Sequence, residues 1–213
     1  MAGTDRGKSG ATADLGPVIV LVEPQLGENI GMVARAMLNC GLTALRLVRP
    51  RDGWPNPAAV AASSGADCVI EAVEVHETTE AAIADLHRVY VTSARERGMV
   101  KPVVTARRAA EEMRALAARG ERVGLLFGPE RSGLFNDDIA LGDVIVQVPL
   151  NPAYSSLNLA QAVLLLAYEW YQLGDDTPAR ELPLHGGVPA EKGQLIGFFE
   201  RLEETLDAVG FFF

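Results

Sequence analysis

Pro149-Leu150-Asn151-Pro152-Ala153-Tyr154-Ser155-Ser156-Leu157-Asn158 leads straight into an apolar segment, Leu157 to Leu173, which reads as a helix. The two prolines fix φ twice and remove two backbone donors, so the polar loop is stiff. Its serines, asparagines and tyrosine stand at a helix entrance, where unpaired N–H groups point outward. A helix capped by Ser155 or Ser156 accounts for this as well as a ligand site does. A second stiff loop stands upstream, Phe127-Gly128-Pro129-Glu130-Arg131-Ser132-Gly133-Leu134, after the apolar run Val123–Phe127.

Working outward, apolar runs of strand length alternate with helical patterns. The expected strands are Val18–Val22, Leu45–Val48, Cys68–Ile70, Val89–Thr92, Val123–Phe127 and Val144–Val148. The expected helices are Asn29 to Cys40 (stopped by Gly41), Pro57 to Ser63, Thr78 to Leu86, Thr105 to Ala118, a turn capped by Asn136, and Leu157 to Leu173. Continuously apolar strands separated by helices predict an α/β fold, a mostly parallel sheet with helices on both faces. Residues 1–16 read as a disordered tail, 17–173 as the folded domain, 174–189 as a linker and 190–213 as a C-terminal amphipathic helix.

The chain has 213 residues, enough for one such domain. It contains no apolar stretch of ~18 residues to span a membrane. Cys40 and Cys68 lack metal-ligand spacing and read as buried free thiols of a cytoplasmic protein, with no metal. Net charge is −9, which argues against a general polyanion binder. Between Arg88 and Arg131, however, ten basic residues face five acids. That stretch is either a surface for nucleic acid or a set of solvated helix faces.

In open α/β sheets ligands bind beyond the carboxyl ends of the strands. The loops after Thr92, Phe127 and Val148 therefore suit one shared pocket. The segment after Val22 matches neither G-x-G-x-x-G nor a P-loop. Within it Gly31 and Arg35 share a helical face, Gly31 allowing close approach and Arg35 offering a planar fork for phosphate. A surface salt bridge for Arg35 and a helix cap for Asn29 are equally open. No nucleophile elbow is present, and His76, His87 and His185 have no spacing that ties them to a serine.

Three blocks in this order resemble one family. They are Asn29-Ile30-Gly31-Met32-Val33-Ala34-Arg35, Leu126–Leu134, and Pro149–Val163 with its Tyr154-Ser155-Ser156-Leu157-Asn158-Leu159-Ala160-Gln161 core. Together they resemble the SPOUT class of RNA ribose 2′-O-methyltransferases (the SpoU/TrmH family), in its TrmJ-like subgroup, over roughly Pro17 to Leu173. The resemblance implies a sheet whose C-terminal segment forms a deep trefoil knot, which general topology rules argue against. It implies a homodimer that binds S-adenosylmethionine through Thr92, Ser93, Ala94, Phe127, Gly128, Pro129, Glu130, Val148, Leu150, Ser156 and Leu157. The implied catalytic set is Asn29, Arg35, Glu130, Ser156 and Asn158, and the implied substrate is tRNA, at nucleotide 32 of the anticodon loop. A ribosomal RNA or wobble-position methyltransferase of the same branch, and a non-catalytic RNA-binding subunit, are the alternatives. The helix from Glu191 to Val209 resembles the start of an extension in TrmJ-like proteins, so the chain is expected to end inside that extension.

Overall fold

A computed structural model describes residues 16–94, 98–179 and 187–212. The expected tail, apart from Gly16, lies outside the described residues, as do Arg95, Arg97, His185 and Phe213. The element order is β1 (Val18–Val22), α1 (Gly27–Asn39), β2 (Leu45–Val48), α2 (Pro57–Ser63), α3 (Asp67–Glu71), β3 (Glu74–His76), α4 (Thr79–Ile83) and β4 (Arg88–Thr92). It continues with β5 (Val103–Thr105), α5 (Ala106–Ala117), β6 (Val123–Phe127), α6 (Asn136–Leu141), β7 (Val144–Gln147), α7 (Leu159–Gln172) and α8 (Lys192–Ala208). Two compact units divide the chain, Met1–Asp175 and Asp176–Phe213.

The first unit is a seven-stranded sheet in the order β3-β2-β1-β6-β4-β7-β5, and every pairing is parallel. Side chains alternate across it. Ile19 and Leu21 of β1 pack with α1, α2, α3, α5 and α7 in the larger core, while Val18, Val20 and Val22 meet Ala82 of α4 and Ile139 of α6. This is the doubly covered sheet expected of continuously apolar strands. The direction reverses between β3 and β4, so β1, β6, β4 and β7 lie side by side with their carboxyl ends together.

Several local expectations are corrected. Cys68–Ile70 is helical, within α3: Val69 and Ile70 are buried while Asp67, Cys68 and Glu71 are exposed, the pattern of one helix face rather than a strand. Cys68 is accordingly an exposed thiol, while Cys40 is buried and its thiol pKa is raised by that burial. β3 and β5 were not expected; each is a three-residue edge strand, mostly exposed, with no apolar run to mark it. α7 begins at Leu159 rather than Leu157, and neither Ser155 nor Ser156 caps it.

Gly41 ends α1 as expected, with φ +73 and the Leu42 N–H returning to the Met37 carbonyl at 2.9 Å. In the second unit α8 starts with a capping box of Glu191 and Gln194, and none of its residues is buried. Leu195, Phe198, Phe199 and Leu202 form an exposed apolar stripe on it.

Candidate functional site

The residues that follow β4, β6 and β7 line an open cavity of about 340 Å³, bounded on one side by Leu159, Ala162 and Leu166 of α7. Thr92, Ser93, Ala94, Phe127, Gly128, Pro129, Glu130, Val148, Leu150, Ser156 and Leu157 all lie on its wall. The loops are stiff for identifiable reasons. In 128–134 the Gly133 N–H bonds the Pro129 carbonyl at 2.8 Å, and Gly133 takes φ +66. A Cβ at Gly128 would collide with the backbone of Gly133 and Leu134, so only glycine lets this loop fold against itself. In 149–158, the Asn151 side chain accepts from Ala153 N at 3.0 Å and its carbonyl from Tyr154 N at 2.9 Å. Thr92 donates to the Leu126 carbonyl at 2.9 Å and Ser93 N to the Val146 carbonyl at 3.1 Å, which ties the end of β4 and Ser93 to the neighbouring strands.

Beside the cavity, three of the five expected catalytic residues form one connected chain. Glu130 accepts from Gln25 N at 2.8 Å, from Leu26 N at 3.2 Å and from Asn29 Nδ2 at 2.8 Å. Asn158 Nδ2 donates to Asn29 Oδ1 at 3.0 Å. Asn29 is buried in the first turn of α1 and does not cap that helix. The Glu130 carboxylate instead sits at the α1 N-terminus, where the free N–H groups and the helix dipole favour an anion. Asn158 also caps α7, accepting from Ala160 N at 2.9 Å, while its own N–H donates to Gln161 Oε1 at 3.1 Å. One side chain thus fixes both a helix entrance and the Asn29 amide.

The turn that offers the Gln25 and Leu26 amides is itself held under strain. Glu23 and Arg49 follow β1 and β2 with φ +47 and +42, unusual for residues with side chains. Arg49 Nη2 meets Glu23 Oε1 at 2.9 Å, and Arg49 Nη1 donates to the Glu77 carbonyl at 2.6 Å. The sequence carries no signal for this brace beyond Glu23-Pro24 after a strand.

The remaining two candidates stand differently. Ser156 is exposed on the cavity wall and joins no hydrogen bond of the chain. Arg35 is exposed on α1 and, among the described residues, makes neither ion pair nor hydrogen bond, so it is not a surface salt bridge. Gly31 allows a close approach, but by another part of the fold: a Cβ there would strike the Ala59 carbonyl of α2. Its role is helix packing, separate from Arg35.

A model of the SpoU rRNA Methylase family matches residues 16–168. The chain belongs to the SpoU methylase family. It is 39% identical over 194 residues to the tRNA (cytidine/uridine-2′-O-)-methyltransferase TrmJ of Sodalis glossinidius (strain morsitans), covering 91% of this chain and 75% of that protein. The crystal structure of TrmJ from Z. mobilis ZM4 superposes with a TM-score of 0.74 at 51% identity, over 93% of this chain and 82% of that one. The SpoU methyltransferase AviRb from Streptomyces viridochromogenes, in complex with the cofactor AdoMet, shares the fold with a TM-score of 0.60 at 21% identity, over 82% and 66%.

Among the described residues, most of the cationic stretch from Arg88 to Arg131 is paired within the fold, Arg131 excepted. From Arg88 onward, Arg88 pairs with Asp143, Arg107 with Glu169, Arg108 with Glu111 and Glu112, Arg119 with Glu121, and Arg122 with Asp85. Lys101 donates to the Ala140 and Gly142 carbonyls, and Arg114 lies over the Trp170 ring at 3.8 Å. Among the described residues the basic stretch is therefore mainly paired side chains rather than an open cationic surface. Among the described residues no cluster of His, Cys, Asp and Glu could hold a metal, and no helix is long and apolar enough to cross a membrane. His87 Nδ1 accepts from Arg122 N at 3.0 Å, a structural contact away from the cavity wall.

Proposed function

We propose that this chain transfers a methyl group from S-adenosylmethionine to a ribose 2′-hydroxyl of tRNA, at nucleotide 32 of the anticodon loop, as a cytoplasmic homodimer with a trefoil-knotted sheet. The observation that carries this reading is the unbroken chain Glu130–Asn29–Asn158 beside a preformed cavity, with an unpaired Arg35 on the same helix as Asn29. Membership of a methylase family and likeness to TrmJ support the reaction class and the tRNA substrate.

The cavity suits the cofactor. About 340 Å³ falls within the range of small-molecule sites, and its stiff loops present backbone N–H and C=O groups able to read a purine edge. Phe127, Gly128, Val148 and Leu150 would hold the adenosine end, with Ser156 and Leu157 toward the methionine end. S-adenosylmethionine supplies an activated methyl on a sulfonium centre.

The protein's part is positioning and electrostatics. A ribose hydroxyl is a weak acid, so negative charge developing on its oxygen must be stabilised. The Arg35 guanidinium grips the phosphate beside the target ribose and faces that oxygen. A guanidinium is a permanent cation, so the proton leaves to water or to phosphate and Arg35 does not accept it. Glu130 and Asn158 fix the Asn29 amide, which orients the ribose. Holding the reacting groups in place supplies most of the acceleration.

Exposed apolar side chains on α7, among them Leu164, Leu165, Tyr168 and Tyr171, support the homodimer, since an apolar face of this extent calls for a partner surface. β7 lies between β4 and β5 although both precede it in the chain, an arrangement that supports the knot. Arg35→Ala is the test of the reading. It is expected to lower single-turnover methylation of tRNA by more than tenfold, a loss of at least ~1.4 kcal/mol of transition-state stabilisation, with S-adenosylmethionine affinity unchanged by calorimetry. Arg35→Lys should rescue little because the planar fork is gone. A variant with full activity removes Arg35 from the mechanism.

A further inference from the structure

Arg131 stands out from the other arginines of the first unit. Apart from Arg35, every other described arginine there has a carboxylate or carbonyl partner. Arg131 has none among the described residues, in a chain with nine more acids than bases. It also lies on the rim of the cavity, directly after Glu130, on the loop closed by the Gly133–Pro129 hydrogen bond. Glu130 turns inward to Gln25, Leu26 and Asn29. Arg131 is exposed, so its planar fork of donors is held by a stiff loop at the mouth of the site and aimed at nothing within the protein.

We propose that Arg131 takes up a backbone phosphodiester of the RNA strand as that strand crosses the mouth of the cavity. The proposal rests on the methyltransferase reading above. A ribose within a strand lies between two phosphodiesters. Arg35 serves one, and among the described residues Arg131 is the other guanidinium without a partner, placed to serve the second. A planar guanidinium matches two phosphate oxygens at once. Exposure of the Arg131 side chain favours a ligand arriving from solvent over one held within the cavity. Arg131 is then a binding residue for the strand, without sequence preference.

The experiment measures binding of the full chain to an unmodified tRNA transcript over a series of salt concentrations, with S-adenosylmethionine binding measured separately by calorimetry. The variants are Arg131→Ala, Arg131→Lys, and Arg119→Ala as an exposed, already paired control. Arg131→Ala is expected to weaken tRNA binding about fivefold or more at low salt and to reduce the slope of log K against log salt by about one. Arg131→Lys should restore the slope and part of the affinity, and Arg119→Ala should change neither. Cofactor affinity should be the same in all four proteins. An unchanged slope in Arg131→Ala overturns the proposal and leaves the methyltransferase reading standing. Weakened cofactor binding with an unchanged slope overturns it in favour of a carboxylate contact. A wild-type protein that methylates no tRNA overturns both readings.

Discussion

At the scale of single residues, Asn158 carries two jobs that can be separated. Its Oδ1 caps α7 through Ala160 N, and its Nδ2 holds Asn29. Asn158→Asp keeps an oxygen for the cap but sets an acceptor against the Asn29 carbonyl oxygen. Thermal melting of Asn158→Asp should stay close to wild type, while Asn158→Ala loses the cap and about 1 kcal/mol. Methylation should fall by tenfold to a hundredfold in both, since each loses the orientation of Asn29. Full activity in Asn158→Asp would show that the amide donor has no part in the reaction. The contact was only partly legible beforehand. The Asn158–Gln161 spacing is that of a capping box, but the cap was expected at Ser155 or Ser156 instead. The partner Asn29 is 129 positions away, and nothing local points to it.

Among the elements, legibility followed burial. β1, β6 and β7 are buried on both faces, so their apolar runs announced them. β3 and β5 are short exposed edges held by one neighbour each, and α3 buries only Val69 and Ile70, too little to set a period. The 128–134 loop was legible as stiff from its glycines and proline, but its shape depends on a self-contact of Gly128 with Gly133 and Leu134 that no sequence pattern marks. Gly128→Ala tests that contact. The added methyl must push Leu134 aside, and Leu134 is buried beneath the sheet face that carries Val20 and Leu126. Cofactor affinity is expected to fall at least tenfold, with a loss of stability of about 1–3 kcal/mol. Gly133→Ala meets no neighbour and strains only φ, about 1 kcal/mol, so its affinity should fall less. Equal affinity in Gly128→Ala and wild type would detach the loop from the cofactor site.

For the whole molecule, the described part of the cationic stretch is largely paired internally, because Asp85, Asp143 and Glu169 from other elements join the local Glu111, Glu112 and Glu121. Outside that stretch, Arg46 on β2 is a buried cation paired in the same way. It occupies the face of β2 that Val48 shares, and it donates to the Ala82 carbonyl at 2.7 Å, to Glu74 at 2.9 Å and to both oxygens of Asp85 at 2.6 and 3.0 Å. This ties α4 to the sheet. Chiefly through the hydrogen bond from Arg46, with Arg122 adding to it, the Asp85 carboxyl is lowered to about 2. The unfolded value is near 3.9. The folded value is the lower of the two, so the stabilisation is complete above about pH 4 and is lost as pH falls toward 2. Asp85 is 43% exposed, which screens the effect. Asp85→Asn should therefore lower the melting temperature at pH 7 by only about 2–4 °C and narrow that difference below pH 4. An Asp85→Asn difference that grows on acidification would contradict this sign.

Ribose methyl transfer to tRNA is read out by nucleotide-resolved mass mapping. Unmodified tRNA is incubated with the protein and S-adenosylmethionine in the presence of a chelator, digested, and mapped for 2′-O-methyl ribose. The expected result is a single new methyl on the ribose of nucleotide 32, absent with Arg35→Ala. A methyl at the wobble nucleotide, or on ribosomal RNA alone, would keep the chemistry and contradict the substrate assignment. No ribose methyl on any RNA, from a protein that still binds the cofactor, would contradict the account at its centre.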